Sequence, residues 1–226
     1  RDAFEDKNTK AVILRVNSPG GSPVQSSYIQ KEIARLREKY EDIPLYAVVS
    51  DICASGGYYV ASAADRIYVN ESSLVGSIGV LMNGFGFTEA MQELGVERRL
   101  ITAGEHKGIL DPFSPMSDFD RRHADQLLQE LHLNFIDVVK QGRGDRLSDT
   151  QDLFSGLFWS GERAIELGLA DEIGSASSVA RDVVGEEKIV DFTPKDDPLE
   201  RLADRLGAAA AKAFVSMTGL GMDPRM

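Results

Sequence analysis

Hydrophobic positions fall along this chain in short continuous runs that alternate with stretches of helical spacing. AVILRVN (11–17) is an apolar run of strand length closed by the turn residues SPGGSP, the pattern of a strand buried in a parallel sheet. Across residues 23–40, Val24, Tyr28, Ile29, Ile33, Leu36 and Tyr40 recur at helical spacing with charges between them, which predicts a helix. PLYAVVS then predicts a second strand, SGGYYVASAA a short helix, DRIYV a third strand and LVGSIGVLM a fourth. FTEAMQEL reads as a helix and VERRLITA (96–103) as a fifth strand. Such alternation favours right-handed crossovers and a parallel sheet.

Beyond residue 117 helices dominate. Residues 118–141, starting from a cap at Ser117 or Asp118, carry Leu127, Leu128, Leu131, Phe135, Val138 and Val139 as the apolar stripe of a long amphipathic helix. GERAIELGLADEIG and SSVARDVVG read as helix–turn units, KIVDF as one more short strand, and PLERLADRLGAAAAKAFVSM as a terminal amphipathic helix. The pattern is an α/β domain over residues 1–195 followed by a helical C-terminal extension and tail over 196–226.

Composition narrows the function classes. The 226 residues are 42% hydrophobic and 27% charged, enough for one sizeable core. A formal charge of −11 with no cluster of Lys and Arg argues against a nucleic-acid surface. The single Cys53 rules out an intrachain disulfide, and no His, Cys or carboxylate cluster has metal-ligand spacing, so neither metal nor cofactor is expected. No run approaches the roughly 18 apolar residues of a membrane span. GAAAAKAFV, the best candidate, is interrupted by Lys212. The opening RDAFEDKNTK reads as the tail of a helix whose beginning has been removed.

Candidate chemistry gathers at two glycine-rich turns, SPGG (18–21) and CASGG (53–57). Both follow predicted parallel strands, and a parallel sheet binds ligands at the carboxyl ends of its strands. Ser55 would sit at a strand-to-helix turn with the next N–H groups at the positive end of a helix, the layout of a serine nucleophile beside an oxyanion hole. A serine there is ordinarily an N-cap, so a base has to be found for it. His106, His123 and His132 give poor support for a Ser-His-Asp arrangement, the last two lying on the long helix as surface or packing residues. Lysine acts as a base only when desolvation or nearby positive charge keeps it neutral. Lys107 stands out because TAGEHKGILDPF sets it in a turn between Gly104 and Gly108, before apolar residues, although a loop lysine is ordinarily solvated. Cys53 reads as a small buried residue.

Together NSPGG (17–21), ASGGYYVASAAD (54–65), VGSIGV (75–80) and TAGEHKGILDPFSPMS (102–117) resemble the signal peptide peptidase A family of serine-lysine peptidases. The similarity runs on through KQGRGDR and FSGLFWSGERAIELGLADEIG, covering roughly residues 8–190. The resemblance implies a fold like Clp protease and crotonase, built from stacked βαβ units. It also implies Ser55 as nucleophile, Lys107 as general base, Ser77 as the residue positioning the lysine amine, and the Gly21 and Gly56 N–H groups as the oxyanion hole. Asn17 and Asp65 match family positions and are read as structural, one bonding a turn and one a helix end. A substrate pocket walled by Ile52, Tyr58 and Leu81 is expected, against the alternative that all three pack in the core.

By the same resemblance the substrates are remnant signal peptides or other apolar peptides at the outer face of a bacterial inner membrane, reached through an N-terminal anchor outside this sequence. The chain looks like the short form of the family, with dyads completed across protomers of a ring. Two other readings stand beside it: a crotonase-type acyl-CoA enzyme, and a non-catalytic peptide-binding scaffold of the same fold. Related peptidases also serve in phage capsid maturation.

Overall fold

A computed structural model describes residues 1–194, and the terminal helix expected over 196–226 lies outside the described residues. The chain divides into two compact units, Arg1–Ile189 and Val190–Met226. The first is described below.

A single turn of helix, α1 (Asp2–Glu5), leads into β1 (Val12–Ser18) and α2 (Pro23–Lys39). Strand β2 (Leu45–Ala54), helix α3 (Gly56–Ala61) and strands β3 (Arg66–Val69) and β4 (Leu74–Gly76) follow, all where the apolar runs predict. Next come α4 (Thr88–Glu93) and the long α5 (Asp118–Arg143), whose first turn is closed by a reciprocal capping box between Ser117 and Asp120. Strand β5 (Phe158–Ser160), α6 (Gly161–Glu166), β6 (Glu172–Ile173) and α7 (Ala176–Ser178) complete the unit, the last running into a π-helical turn over Val179–Val184.

The sheet is organised by β2. Its first half lies between β1 and β3, its last three residues pair with β4, and β3 pairs with β6; every one of these ladders is parallel. The exception is β5, which runs antiparallel to β4. This is the α/β architecture the alternation predicts. Between Val16 and Ser18 the β1–β2 register slips, so that Val16 faces Val49 but Ser18 faces Cys53. Asn17 fills the irregularity, donating to Asp51 at 2.8 Å and accepting from the Ile52 N–H at 3.2 Å. The slip carries the end of β1 forward to the end of β2, which is where the two glycine turns meet.

Two expected strands do not form. Residues 96–103 and 188–192 are irregular. In the first, Ile101 is 95% exposed, and an apolar alternation without a neighbouring strand to take its N–H and C=O groups has no reason to extend. LVGSIGVLM contributes only Leu74–Gly76, because Gly76 and Ser77 take φ values of +122° and +52° that end the ladder.

One face of the sheet is covered by α2, α3 and α5, with Ile33, Leu36, Ala61, Phe135 and Val139 packed on Leu45, Ala47, Val49, Cys53 and Ile67. A buried ion pair locks the far end of α5 to the chain after α6. Arg143, 1% exposed, reaches Asp171 with two N–H groups at 2.8 and 3.0 Å and the Gly168 carbonyl with a third. Burial alone would raise the Asp171 carboxyl, but the Arg143 hydrogen bonds, the Ile67 N–H and the charges of Arg143 and Arg146 outweigh it and hold the carboxyl below its ordinary value. Because the folded value is depressed, this contribution to stability is complete above about pH 4 and is lost as the pH falls through the lowered folded value. Asp171→Asn strands a buried guanidinium and is expected to cost about 3–5 kcal/mol, read as a fall in the urea unfolding midpoint at pH 7 that shrinks toward pH 3. No helix among the described residues is long and apolar enough to cross a membrane.

Candidate active site

Ser55 joins the end of β2 to α3 in a conformation few residues adopt, with φ +50° and ψ −122°. Its N–H donates to the Gly76 carbonyl at 2.9 Å, continuing the pairing of Ala54 with Gly76, while its side chain makes no capping bond to the helix that follows. The ordinary role of a serine at a helix start is therefore not taken up here. A non-glycine residue at such φ and ψ costs on the order of 1–3 kcal/mol and persists only where the surroundings hold it.

What holds it is the SPGG turn. Gly20 has φ +121° and packs so closely that a Cβ on it would stand 2.7 Å from the Ser55 Cβ, 3.1 Å from Oγ and 3.2 Å from the Gly56 nitrogen. A Cβ on Gly56 would stand 3.2 Å from the Gly21 nitrogen and would collide with the Ser26 hydroxyl. The Gly21 and Gly56 amides thus meet at one turn-to-turn contact beside Ser55. Among the described residues neither N–H donates to a protein acceptor. Local chemistry explains the turn: Ser18 Oγ accepts from the Gly20 N–H at 3.2 Å, and Ser22 caps α2 with Pro23 behind it.

Ser77 lies across the ladder from Ser55, directly after the Gly76 that Ser55 contacts. It too has positive φ, its N–H donates to the Leu157 carbonyl at 2.7 Å, and its own carbonyl accepts from Gly79 at 2.9 Å. Gly76 admits this path because a Cβ there would meet the Leu157 carbonyl and the Trp159 ring at 2.9 Å. Strand β5 therefore backs the Ser77 turn, a role the sequence pattern did not reveal.

Within one chain Lys107 makes no hydrogen bond to these groups among the described residues. It is exposed, in a turn closed by its own N–H on the Gly104 carbonyl at 3.2 Å. The segment holding it keeps its shape through local contacts: Arg98 pairs with Asp111, Phe87 stacks on Phe113, and His106 stacks on Phe119. Residues 81–107 are exposed apart from the half-buried Thr88 and Met91, leaving Leu81, Phe85, Leu94 and Ile101 more than three-quarters exposed.

The expected pocket lining separates into three environments. Ile52 is half-buried near the end of β2 and Leu81 is 80% exposed. Tyr58 is a correction: it is fully buried in the core with its hydroxyl on the Leu169 carbonyl at 2.8 Å, so it packs the interior and lines no surface. Cys53 is also fully buried, and burial pushes its thiol well up, which leaves it inert as a nucleophile. Asp65 accepts from Arg37 and from the Leu45 N–H, a structural role.

The sequence profile of peptidase family S49 matches residues 37–189. A protein of Brucella abortus named Na(+)/H(+) antiporter NhaA is 46% identical over 185 residues, 82% of this chain but 25% of that protein. The putative signal peptide peptidase SppA of Enterococcus faecium is 33% identical over 189 residues, 84% of this chain and 54% of that protein. Protease 4 of Haemophilus influenzae is 34% identical over 177 residues, 77% of this chain and 28% of that protein. The chain spans between about a quarter and about half the length of these relatives.

Proposed function

Because the chain belongs to peptidase family S49, we propose that it is a serine endopeptidase in which Ser55 is the nucleophile and Lys107 the general base. The observation that carries the reading is the strained Ser55, whose hydroxyl makes no hydrogen bond among the described residues, beside two N–H groups that find no acceptor among them. In the reaction, neutral Lys107 removes the Ser55 proton as Oγ attacks the peptide carbonyl, and the N–H groups of Gly21 and Gly56 receive the oxyanion. The tetrahedral species collapses to an ester, the amine leaves with the proton from Lys107, and water then hydrolyses the ester with the same base. Losing either oxyanion donor would raise the barrier by about 3 kcal/mol. Ser77 holds the amine.

The dyad is completed between protomers. Support comes from the exposed Lys107 segment and from the first half of α2, where Val24, Tyr28 and Ile29 are at least half exposed just after the SPGG turn. Apolar area of that kind is what a second copy of the chain would cover, and enclosure between copies would favour the neutral amine a base requires. The substrates are apolar peptides, including signal peptide remnants, at the outer face of a bacterial membrane.

Mixing Ser55→Ala with Lys107→Ala protein under conditions of subunit exchange is expected to restore up to about a quarter of wild-type turnover, measured on a quenched apolar peptide, because random pairing reunites intact partners at one interface in four. Silence of the mixture, with exchange verified by fluorescence transfer, argues that no dyad is shared.

A further inference from the structure

Ser77 can hold an amine in place only if its own left-handed turn is held, and backbone at positive φ relaxes unless its neighbours prevent it. Three bonds do so. The N–H of Ser77 is tied to Leu157 at 2.7 Å, its carbonyl accepts from Gly79 at 2.9 Å, and the next carbonyl, that of Ile78, accepts from His132 Nε2 at 3.0 Å. The first two are backbone bonds that any residue at those positions would make. His132 supplies the one side chain among the described residues that hydrogen-bonds this turn, and it arrives from α5, 54 positions along the chain.

We propose that His132 is a positioning residue of the peptidase: by donating from Nε2 to the Ile78 carbonyl it fixes the Ser77 turn, and through Ser77 the Lys107 amine. The inference rests on the Ser-Lys reading above. The ring is not needed to seat α5, because that helix is anchored by buried Phe135 and Val139 one and two turns further on, while His132 is half-buried. The bond requires the proton on Nε2, which both the imidazolium and one neutral tautomer carry. Glutamine can make the same donation from its amide; leucine fills comparable space and donates nothing.

The test compares His132→Leu and His132→Gln in peptide hydrolysis, alone and in a Ser77→Ala background. His132→Leu is expected to lower kcat between about ten- and a hundredfold with KM within about twofold, the scale of a misplaced catalytic group. His132→Gln keeps kcat within about threefold of wild type. In the Ser77→Ala background, His132→Leu adds less than about twofold, since the residue it acts through has gone. Wild-type kcat in His132→Leu overturns the inference, as does equal impairment of the two variants or full multiplication of the effects in the double variant. If Ser77→Ala is silent, the Leu and Gln comparison decides; if His132→Leu does not fold, His132→Glu at pH 8, which offers the carbonyl no proton, takes its place. Ser55→Ala and Lys107→Ala run in the same assay separate the two failures. Turnover in either removes the Ser-Lys reading, whereas silence in both beside an unaffected His132→Leu removes only the role of His132.

Discussion

Ser55→Ala is expected to abolish peptide hydrolysis, with kcat falling by on the order of 10⁴–10⁶, while the unfolding temperature stays within a degree or two of wild type. The rate loss follows from the proposed reaction, in which Ser55 forms the ester, since knocking out a nucleophile leaves what oxyanion donors and binding alone can do. The unchanged stability follows from the structure. The hydroxyl caps nothing, and alanine keeps the Cβ that makes φ +50° costly, so neither a bond nor the strain is removed. Calorimetry and a serine-directed covalent probe read the two halves separately. Hydrolysis within tenfold of wild type in Ser55→Ala would remove the serine from the chemistry.

Gly20→Ala is expected to be nearly as damaging to turnover although residue 20 touches no substrate. Its Cβ would stand 2.7 Å from the Ser55 Cβ and 3.2 Å from the Gly56 nitrogen, and although the Ser55 hydroxyl could rotate away, neither of these two atoms can yield without moving the backbone. Alanine at φ +121° is strained besides. The SPGG turn and Ser55 must move apart, which takes the Gly21 amide from the serine it serves. We expect kcat/KM to fall about a hundredfold or more and stability to drop by about 1–3 kcal/mol. The measurements are steady-state kinetics and urea unfolding, and wild-type turnover in a folded Gly20→Ala protein would contradict the proposed oxyanion geometry.

The apolar runs at 11–17 and 44–50 were legible as strands because both pair in parallel, but only the second is interior: β1 pairs with β2 alone, and of its residues only Val16 is buried. VERRLITA carries a similar signal and is not a strand, because strand formation depends on a partner that local sequence does not report. Strand β5 escaped notice for the converse reason. Phe158 and Trp159 lie in a short run whose meaning comes from Gly76, more than 80 positions earlier. At the candidate site, Ser55 and the glycines around it could be picked out because they sit in turns at strand ends, whereas Ser77 and the oxyanion role of Gly21 and Gly56 came only from the family resemblance. His132 could not be picked out, since a histidine on an amphipathic helix looks the same whether it faces water or a carbonyl. Tyr58 misled for a related reason: its helical position gave no hint of the Leu169 carbonyl that claims its hydroxyl.

The antiparallel β4–β5 pair has a consequence for biosynthesis. A polypeptide emerging from the ribosome acquires Ser55 early, but the carbonyl that tethers Ser77 and the indole beneath Gly76 come from Leu157 and Trp159, after α5 has been made. A nascent chain ending before those residues has a serine with no fixed companion. The Ser77 turn can therefore be fixed only after most of the first compact unit has been synthesised.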